Sequence, residues 1–155
     1  MKTILFICTG NTCRSSMAQA LFKDIIETEN GDKRQELNII SAGIAAGEGE
    51  GANPNAIKAM EELGIDLTGH RASQLTQELI DKADLILTMT QRHKEMIMLV
   101  SPGSRDKVYT LMEFIDEGES QGLDIEDPFG GSIEVYRQSA AQIREALKKL
   151  IRKLD

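Results

Sequence analysis

Cysteine is scarce in this sequence, with only Cys8 and Cys13 among 155 residues. A small secreted disulfide scaffold would carry more cysteines at wider spacings, and neither C-x-x-C nor a zinc-ligand spacing of Cys and His occurs. No apolar run approaches the roughly 18 residues that cross a bilayer, and the N-terminal apolar stretch Ile4–Ile7 is too short for the core of a signal peptide. These absences predict a cytoplasmic protein with no membrane partner.

The sequence also lacks an excess of basic residues. Lys and Arg number 18 against 25 Asp and Glu, which gives a formal net charge of −7. Proteins that bind nucleic acids need a basic face, so the charge predicts no nucleic-acid partner, although a local cationic pocket remains compatible with it. Hydrophobic residues make up 41% and charged residues 28%, as in soluble globular chains. The length predicts one domain over residues 1–155.

Apolar runs alternate with amphipathic stretches along the whole chain. The predicted strands are Ile4–Ile7, Leu37–Ala42, Ala83–Met89 and Val108–Leu111. The predicted helices are Ser15–Asn30, Pro54–Leu63 capped by Asn53, Thr76–Lys82, Gln91–Val100 and a long C-terminal helix from Ile133. This alternation predicts an α/β fold, a parallel sheet with helices on both faces. The loop Gly43–Gly51 contains four glycines and no periodicity, and is expected to be mobile.

The stretch from Cys8 to Ser15 (CTGNTCRS) follows the first predicted strand and precedes the first helix. Open parallel sheets place ligand sites at this position. A cysteine, five residues and an arginine can curl so that backbone N–H groups point inward, and the helix start adds its free amides. Such a nest suits a phosphate dianion, which Arg14 would grip with its planar fork. The sequence therefore predicts a phosphate-binding loop after the first strand.

The same positive field would favour the thiolate form of Cys8, which is a nucleophile. A cysteine that ends a buried strand is more often a core residue, and a lone Cys-x5-Arg occurs by chance. The context favours catalysis here, because Gly10 permits a tight turn and Ser15 is placed to hydrogen-bond the sulfur. Glycine-rich nucleotide fingerprints are absent.

Together with Asp127-Pro128-Phe129-Gly130, this loop resembles the low-molecular-weight protein tyrosine phosphatase family, and within it the bacterial protein-arginine phosphatases. The likeness runs from the first strand to the last helix. It implies a four-stranded parallel sheet flanked by helices, no metal or organic cofactor, and catalysis through a covalent thiophosphate intermediate. Phosphorylated proteins are the implied substrates, and we expect a monomer.

The resemblance also implies roles for single residues. Asp127 matches the general acid, and Asn11, Ser41 and His70 match polar residues that hold the phosphate loop in shape. The implied substrate-binding residues are Thr9, Gly10, Asn11, Thr12, Cys13, Ser15 and Phe129. His93, on a predicted amphipathic helix, receives no function.

Departures from the family pattern bear on the substrate. Ser16 replaces a common proline without removing a reactive group, and glycine follows Phe129 where a second aromatic residue is usual. Thr12 replaces an aliphatic residue, which makes the pocket poorer for an aromatic ring and better for a guanidinium. We therefore expect a protein-arginine phosphatase, with a protein tyrosine phosphatase as the alternative.

Two further functions are less consistent with the sequence. Arsenate reductases share the fold and the loop, but the thioredoxin-coupled kind needs a relay of further cysteines, and none exists beyond Cys13. A phosphoprotein-binding module without activity would not need an intact set of Cys8, Arg14 and Asp127.

Overall fold

A computed structural model describes residues 2–29, 36–116 and 124–154. Its sheet has four strands, all parallel, in the order β2-β1-β3-β4. The strands are β1 (Lys2–Cys8), β2 (Leu37–Gly43), β3 (Leu85–Thr88) and β4 (Val108–Thr110). The predicted four-stranded parallel sheet is confirmed, and its first strand lies in the interior, where Cys8 pairs with Gly43 of β2.

Six α-helices connect or follow these strands in the described residues. They are α1 (Arg14–Glu29), α2 (Pro54–Glu62), α3 (Gln77–Lys82), α4 (Gln91–Val100), α5 (Leu111–Ile115) and α6 (Ile133–Lys153). Three of the predicted helices, α2, α3 and α4, begin with a side-chain cap. The side chains of Asn53, Thr76 and Thr90 each accept a hydrogen bond from a backbone N–H in the first turn of the helix that follows. The last predicted residue of the first helix, Asn30, lies outside the described residues.

The helices cover both faces of the sheet, as predicted. Side chains alternate across a strand, so Ile4 and Phe6 of β1 point to one face and Leu5 and Ile7 to the other. The larger apolar cluster, on the first face, includes residues of α1, α2, α5 and α6. The smaller cluster, on the second face, includes Ile80 of α3 and Ile97 of α4. The core therefore fixes β1 from both sides, and with it the start of the loop that follows Cys8.

Around β4 the structure differs from the prediction in one boundary and in two additional short helices. The strand ends at Thr110 instead of Leu111, because Thr110 and Glu113 form a capping box that starts α5. Neither α5 nor the 3₁₀ helix Pro102–Lys107 was predicted. Both are short, and segments of five or six residues show too little periodicity to be recognised.

The glycine-rich loop is held by backbone contacts, which its composition does not indicate. The N–H of Gly49 donates to the carbonyl of Ala72 at 2.8 Å, and the N–H of Ala72 donates to the carbonyl of Glu50 at 2.7 Å. The Glu48 carboxylate accepts from the N–H of Gln74 at 2.7 Å. The loop is thus joined to the segment after α2. No helix of the described residues has the length and apolar content that a membrane crossing requires.

Candidate active site

The phosphate loop, residues 9–13, joins the carboxyl end of β1 to the start of α1. The backbone after β2 lies directly against it: a Cβ added to Gly43 would lie 2.5 Å from the carbonyl oxygen of Thr9 and 2.9 Å from the nitrogen of Asn11. Any larger residue at Gly43 would therefore displace the loop. The N–H of Ala45 also donates to the Thr9 carbonyl at 2.9 Å.

The Cys8 thiol group is buried and surrounded by hydrogen-bond donors. Its sulfur lies 2.8 Å from the Ser15 hydroxyl and accepts from the N–H of Asn11 at 3.3 Å. The Ser15 oxygen itself accepts from Nδ2 of Asn11 at 2.8 Å, which leaves its own hydrogen free to point to the sulfur. Donors aimed at sulfur stabilise a negative charge on it. The predicted contact between Ser15 and Cys8 is present.

Asn11 has a left-handed backbone conformation, with φ of 58°, and its side chain is completely buried. Its Nδ2 also donates to the Ser41 hydroxyl at 3.0 Å, and its Oδ1 accepts from the N–H of Ser73 at 2.9 Å. The Nε2–H of His70 donates to the Asn11 carbonyl at 2.7 Å. Burial lowers the pKa of His70, which favours the neutral ring. Asn11 therefore contacts both of the other residues expected to support the loop, Ser41 and His70.

Gln19 extends this network, although the sequence analysis did not single it out. Its Oε1 accepts from the Ser41 hydroxyl at 2.5 Å, and its Nε2 donates to the Ile39 carbonyl at 3.2 Å. A sequence signal existed, because Gln19 lies four residues after Ser15 and so on the same face of α1.

Arg14 is 4% exposed, and its guanidinium is held from one side. Nη1 donates to the carbonyl of Ile125 at 3.1 Å, and Nη2 lies 3.4 Å from Oδ2 of Asp127. The Nε atom is buried and has no hydrogen-bond partner among the described residues. A buried N–H donor without a partner is costly in a protein interior, so this group fits an anionic ligand.

Asp127 lies at the rim of the site, with its side chain 52% exposed. Its Oδ1 accepts from the N–H of Phe129 at 3.0 Å. The Phe129 side chain is 73% exposed. The structure therefore brings the predicted acid to the predicted phosphate clamp, and places an aromatic ring two residues beyond it.

Three further loop residues, Gly10, Thr12 and Cys13, differ in burial and in their contacts. Thr12 is half-buried, and its hydroxyl makes one weak contact among the described residues, 3.8 Å to the sulfur of Cys13. Burial raises the pKa of the Cys13 thiol, whose sulfur lies 3.4 Å from the hydroxyl of the fully buried Tyr136. Both cysteines are free thiols. A Cβ added to Gly10 would contact only the Thr12 hydroxyl, at 3.5 Å, and the left-handed residue of the loop is Asn11 rather than Gly10.

His93, to which the sequence assigned no function, lies against the phosphate loop. The ring is 6% exposed, and its Nε2 lies 2.9 Å from the hydroxyl of Thr9. The available signal was its position four residues before Ile97, which places a polar residue on the buried face of α4. Among the described residues, no group of three or more His, Cys, Asp or Glu side chains could hold a metal ion.

Comparisons with known proteins agree with this arrangement. A protein-arginine-phosphatase of Bacillus subtilis (strain 168) is 44% identical over 151 residues, which cover 97% of this chain and 95% of the relative. A protein-arginine-phosphatase of Geobacillus stearothermophilus is 42% identical over 152 residues, or 98% and 95%. The solved structure of a YwlE arginine phosphatase variant with a phosphorylated active-site serine matches with a TM-score of 0.88 and 44% identity, covering 98% of this chain and 95% of that chain.

A family model covers nearly the whole sequence as well, matching residues 3–155. The match includes β1, the phosphate loop and the Asp127 segment, and the fold agrees in strand number and direction with what the resemblance implies. This chain therefore belongs to the low molecular weight phosphotyrosine protein phosphatase family.

Proposed function

We propose that this protein hydrolyses phosphoarginine in proteins through a phosphocysteine on Cys8. The observation that carries the proposal is the placement of three groups around the phosphate loop. The Cys8 sulfur lies among hydrogen-bond donors, Arg14 has a buried Nε without a partner among the described residues, and Asp127 lies 3.4 Å from Arg14. One copy of the chain supplies all three groups, so we propose that it acts as a monomer on phosphorylated proteins.

In the first step the Cys8 thiolate attacks phosphorus while the bond from phosphorus to the leaving nitrogen breaks. The loop N–H groups and Arg14 hold the three equatorial oxygens and their developing charge. Asp127, in its protonated form, transfers its proton to the departing nitrogen. The step forms an S–P bond and releases an arginine side chain.

In the second step a water molecule attacks the phosphorus of the phosphocysteine. Asp127, now a carboxylate, accepts a proton from this water as the S–P bond breaks. Inorganic phosphate is released and the Cys8 thiolate is regenerated. The Ser15 hydroxyl, 2.8 Å from the sulfur, stabilises the departing thiolate. Asp127 regains from water the proton that it gave to the leaving nitrogen, so the enzyme returns to its starting state and water is the only co-substrate.

Two observations favour arginine over tyrosine. The Thr12 hydroxyl forms no hydrogen bond with a loop amide among the described residues, so it is free to contact a guanidinium or the attacking water. Both relatives compared above are named protein-arginine-phosphatase. The leaving group is also the more basic one, with a pKa above about 12 for arginine against about 10 for tyrosine, so proton donation matters more.

The alternative function, a protein tyrosine phosphatase, is favoured by one observation. The exposed Phe129 ring lies two residues from Asp127, where it offers an apolar wall to an aryl phosphate. Turnover of matched phosphoarginine and phosphotyrosine peptides by the same preparation separates the two functions. We expect the higher kcat/KM with phosphoarginine.

Thr12→Ile is expected to lower kcat/KM for the phosphoarginine peptide and to raise it for the phosphotyrosine peptide. Isoleucine removes the hydroxyl and adds apolar surface beside the leaving group. Loss of a buried polar contact costs about 1–3 kcal/mol, which corresponds to a change of roughly fivefold to 150-fold. The measurement is kcat/KM on both peptides.

Thr12→Ser is the matched control, because it keeps the hydroxyl and should keep the preference for arginine. If Thr12 only maintains the loop, Thr12→Ile will lower both activities in parallel. That outcome would remove the case for arginine specificity at this position and favour the tyrosine phosphatase.

Cys13→Ser is expected to reduce the recovery of activity after oxidation. Peroxide converts the Cys8 thiolate to a sulfenic acid, and the Cys13 thiol can displace water from it to form a disulfide that a thiol reductant reopens. Without Cys13, the sulfenic acid is exposed to further, irreversible oxidation. We expect the variant to regain less activity than the parent, with more sulfinic acid on Cys8 by mass spectrometry.

Equal recovery by the two proteins would leave Cys13 with a packing role only. The peroxide dose is set so that each protein loses the same fraction of its starting activity, which corrects for any difference in the reactivity of Cys8.

A further inference from the structure

His93 is a buried imidazole that the proposed chemical steps do not use. It lies in the first turn of α4, where its backbone N–H donates to the Thr90 cap at 3.2 Å. Its Nε2 reaches the hydroxyl of Thr9, an exposed residue that directly follows Cys8. The other ring nitrogen, Nδ1, is buried and has no hydrogen-bond partner among the described residues. Such an atom is unfavourable in a core, so packing alone does not explain a histidine here.

The start of α4 also carries the segment that leads to Asp127. The Gln91 N–H donates to the Asp124 carboxylate at 2.8 Å, and the Ile125 N–H donates to the Met89 carbonyl at 2.7 Å. The carbonyl of Ile125 in turn accepts from the Arg14 guanidinium. The residues around the end of β3 and the first turn of α4 thus form a platform, residues 89–93, to which the acid segment is attached.

The phosphate loop is held unequally on its two sides. On the β2 side, it is fixed by contacts from Ser41, Ala45, His70 and Ser73. On the β3 side, His93 is the one residue of the platform that hydrogen-bonds to residues 9–13 among the described parts of the chain. Without this bond, the loop would be joined to the platform only through its two ends, by the pairing of β1 with β3 and by the bond from Arg14 to Ile125.

We propose that His93 is a positioning residue that, by holding Thr9, fixes the phosphate loop to the platform that carries the acid segment. The role rests on the proposed function, because it concerns the spacing between the nucleophile and the proton donor. Displacement of reacting groups by about 1 Å is enough to slow an enzyme by up to about a hundredfold.

The charge state of the ring is consistent with this role. Burial, together with the charges of Arg14 and Arg92, lowers the pKa of His93 to about 4 against the opposing effect of Asp127 and Asp124. The ring is therefore neutral near pH 7, so that its bond to Thr9 adds no charge beside Arg14 and does not change with pH in that range.

Two amide variants test the contact. The amide end of glutamine in His93→Gln can occupy the position of Nε2 and reach Thr9, whereas the shorter side chain in His93→Asn replaces only the Nδ1 end of the ring. We expect His93→Asn to lower kcat about tenfold with a smaller change in KM, and His93→Gln to restore most of the loss. Equal losses in the two variants would overturn the proposal.

A double-mutant cycle with Thr9→Val shows whether His93 acts through Thr9. Valine keeps the shape of threonine and removes the hydroxyl. We expect His93→Asn to cause little further loss of kcat in the Thr9→Val background, since the contact is already absent. Independent, multiplicative losses would mean that His93 acts elsewhere, and would overturn the proposal.

The cycle is run with an activated aryl phosphate as well as the phosphoarginine peptide. A wrong assignment of the substrate appears in the parent enzyme as a poor rate with the peptide. A wrong assignment of His93 appears as additivity with both substrates. The two failures are therefore distinguishable.

Unfolding in urea at pH 7.5 and pH 5.5 checks the buried, neutral ring independently of activity. A histidine with a pKa of about 4 when folded and about 6.5 when unfolded takes up its proton mainly in the unfolded chain, so stability falls as the pH drops through this range. This effect alone lowers the ratio of folded to unfolded protein roughly tenfold between the two pH values. His93→Gln lacks this histidine, so we expect its folded-to-unfolded ratio to fall about tenfold less than that of the parent protein between pH 7.5 and pH 5.5. An identical fall in the variant and the parent would contradict a buried neutral His93.

Discussion

Replacing Cys8 by serine is expected to lower steady-state turnover of the phosphoarginine peptide by roughly 10³-fold or more. The hydroxyl of serine remains protonated where a thiolate would form, which slows the attack on phosphorus. A serine oxygen is also a much poorer leaving group than a thiolate, so any phosphoserine that forms is hydrolysed slowly. The donors around the sulfur, the Ser15 hydroxyl and the N–H of Asn11, are unchanged by the substitution. The measurement is kcat/KM with the peptide and with an activated aryl phosphate.

Binding of inorganic phosphate by Cys8→Ser serves as the control for an intact site. The loop amides and the guanidinium of Arg14 remain in the variant, so phosphate should still bind, as isothermal calorimetry can show. Retained binding with lost turnover is the result expected for a covalent mechanism. Substantial turnover by Cys8→Ser would eliminate the phosphocysteine and with it both proposed steps.

Replacing Asp127 by asparagine is expected to lower the single-turnover rate of phosphoryl transfer from phosphoarginine to Cys8 about 10²- to 10⁴-fold, the usual range for a lost general acid. Asparagine keeps an acceptor for the N–H of Phe129 but cannot supply the proton that the leaving nitrogen needs. The loss should be much smaller with an activated aryl phosphate, whose leaving group departs without protonation. Single-turnover rates on the two substrates measure the difference.

Glu126→Gln is the matched control for Asp127→Asn. Glu126 is the adjacent residue, is exposed, and makes no hydrogen bond or ion pair with the described residues. Its substitution removes the same negative charge from the same segment and should change neither rate appreciably. Equal losses on both substrates in Asp127→Asn, or a similar loss in Glu126→Gln, would argue against Asp127 as proton donor and for a general effect of charge at the rim.

Much of the fold could be predicted because the responsible interactions are local. The start of α2 needs only Asn53 and Pro54, and the start of α4 needs only Thr90 and the three residues after it. The alternation of strands and helices then limits the topology to a parallel sheet. The segment α5 could not be predicted, because its capping box lies inside a stretch that also has the composition of a strand end.

In the candidate site, too, the residues that could be predicted are those whose interactions are local in the chain. The phosphate loop could be predicted with its nucleophile, its clamp and the contact of Ser15 with Cys8, because all of them lie within eight consecutive residues. Asp127 entered through resemblance to a family, since Asp-Pro by itself indicates only a turn. The roles of Gly43 and Gln19 were not predicted, because they depend on how close β2 lies to the loop and to α1.

By itself the sequence determined the loop and placed Cys8 and Arg14 at its two ends, since a strand, a curled loop and a helix start are built from neighbouring residues whose backbone geometry is local. Only the tertiary structure decided what surrounds those groups. Thr9 and His93 are 84 residues apart, and Arg14 and Ile125 are 111 residues apart. Contacts at such separations follow from the packing of β1 between β2 and β3, which brings the ends of three strands to one edge. A hydrogen bond between distant residues leaves no periodicity and no spacing in the chain, so the support and alignment of the site become visible only once the sheet has formed.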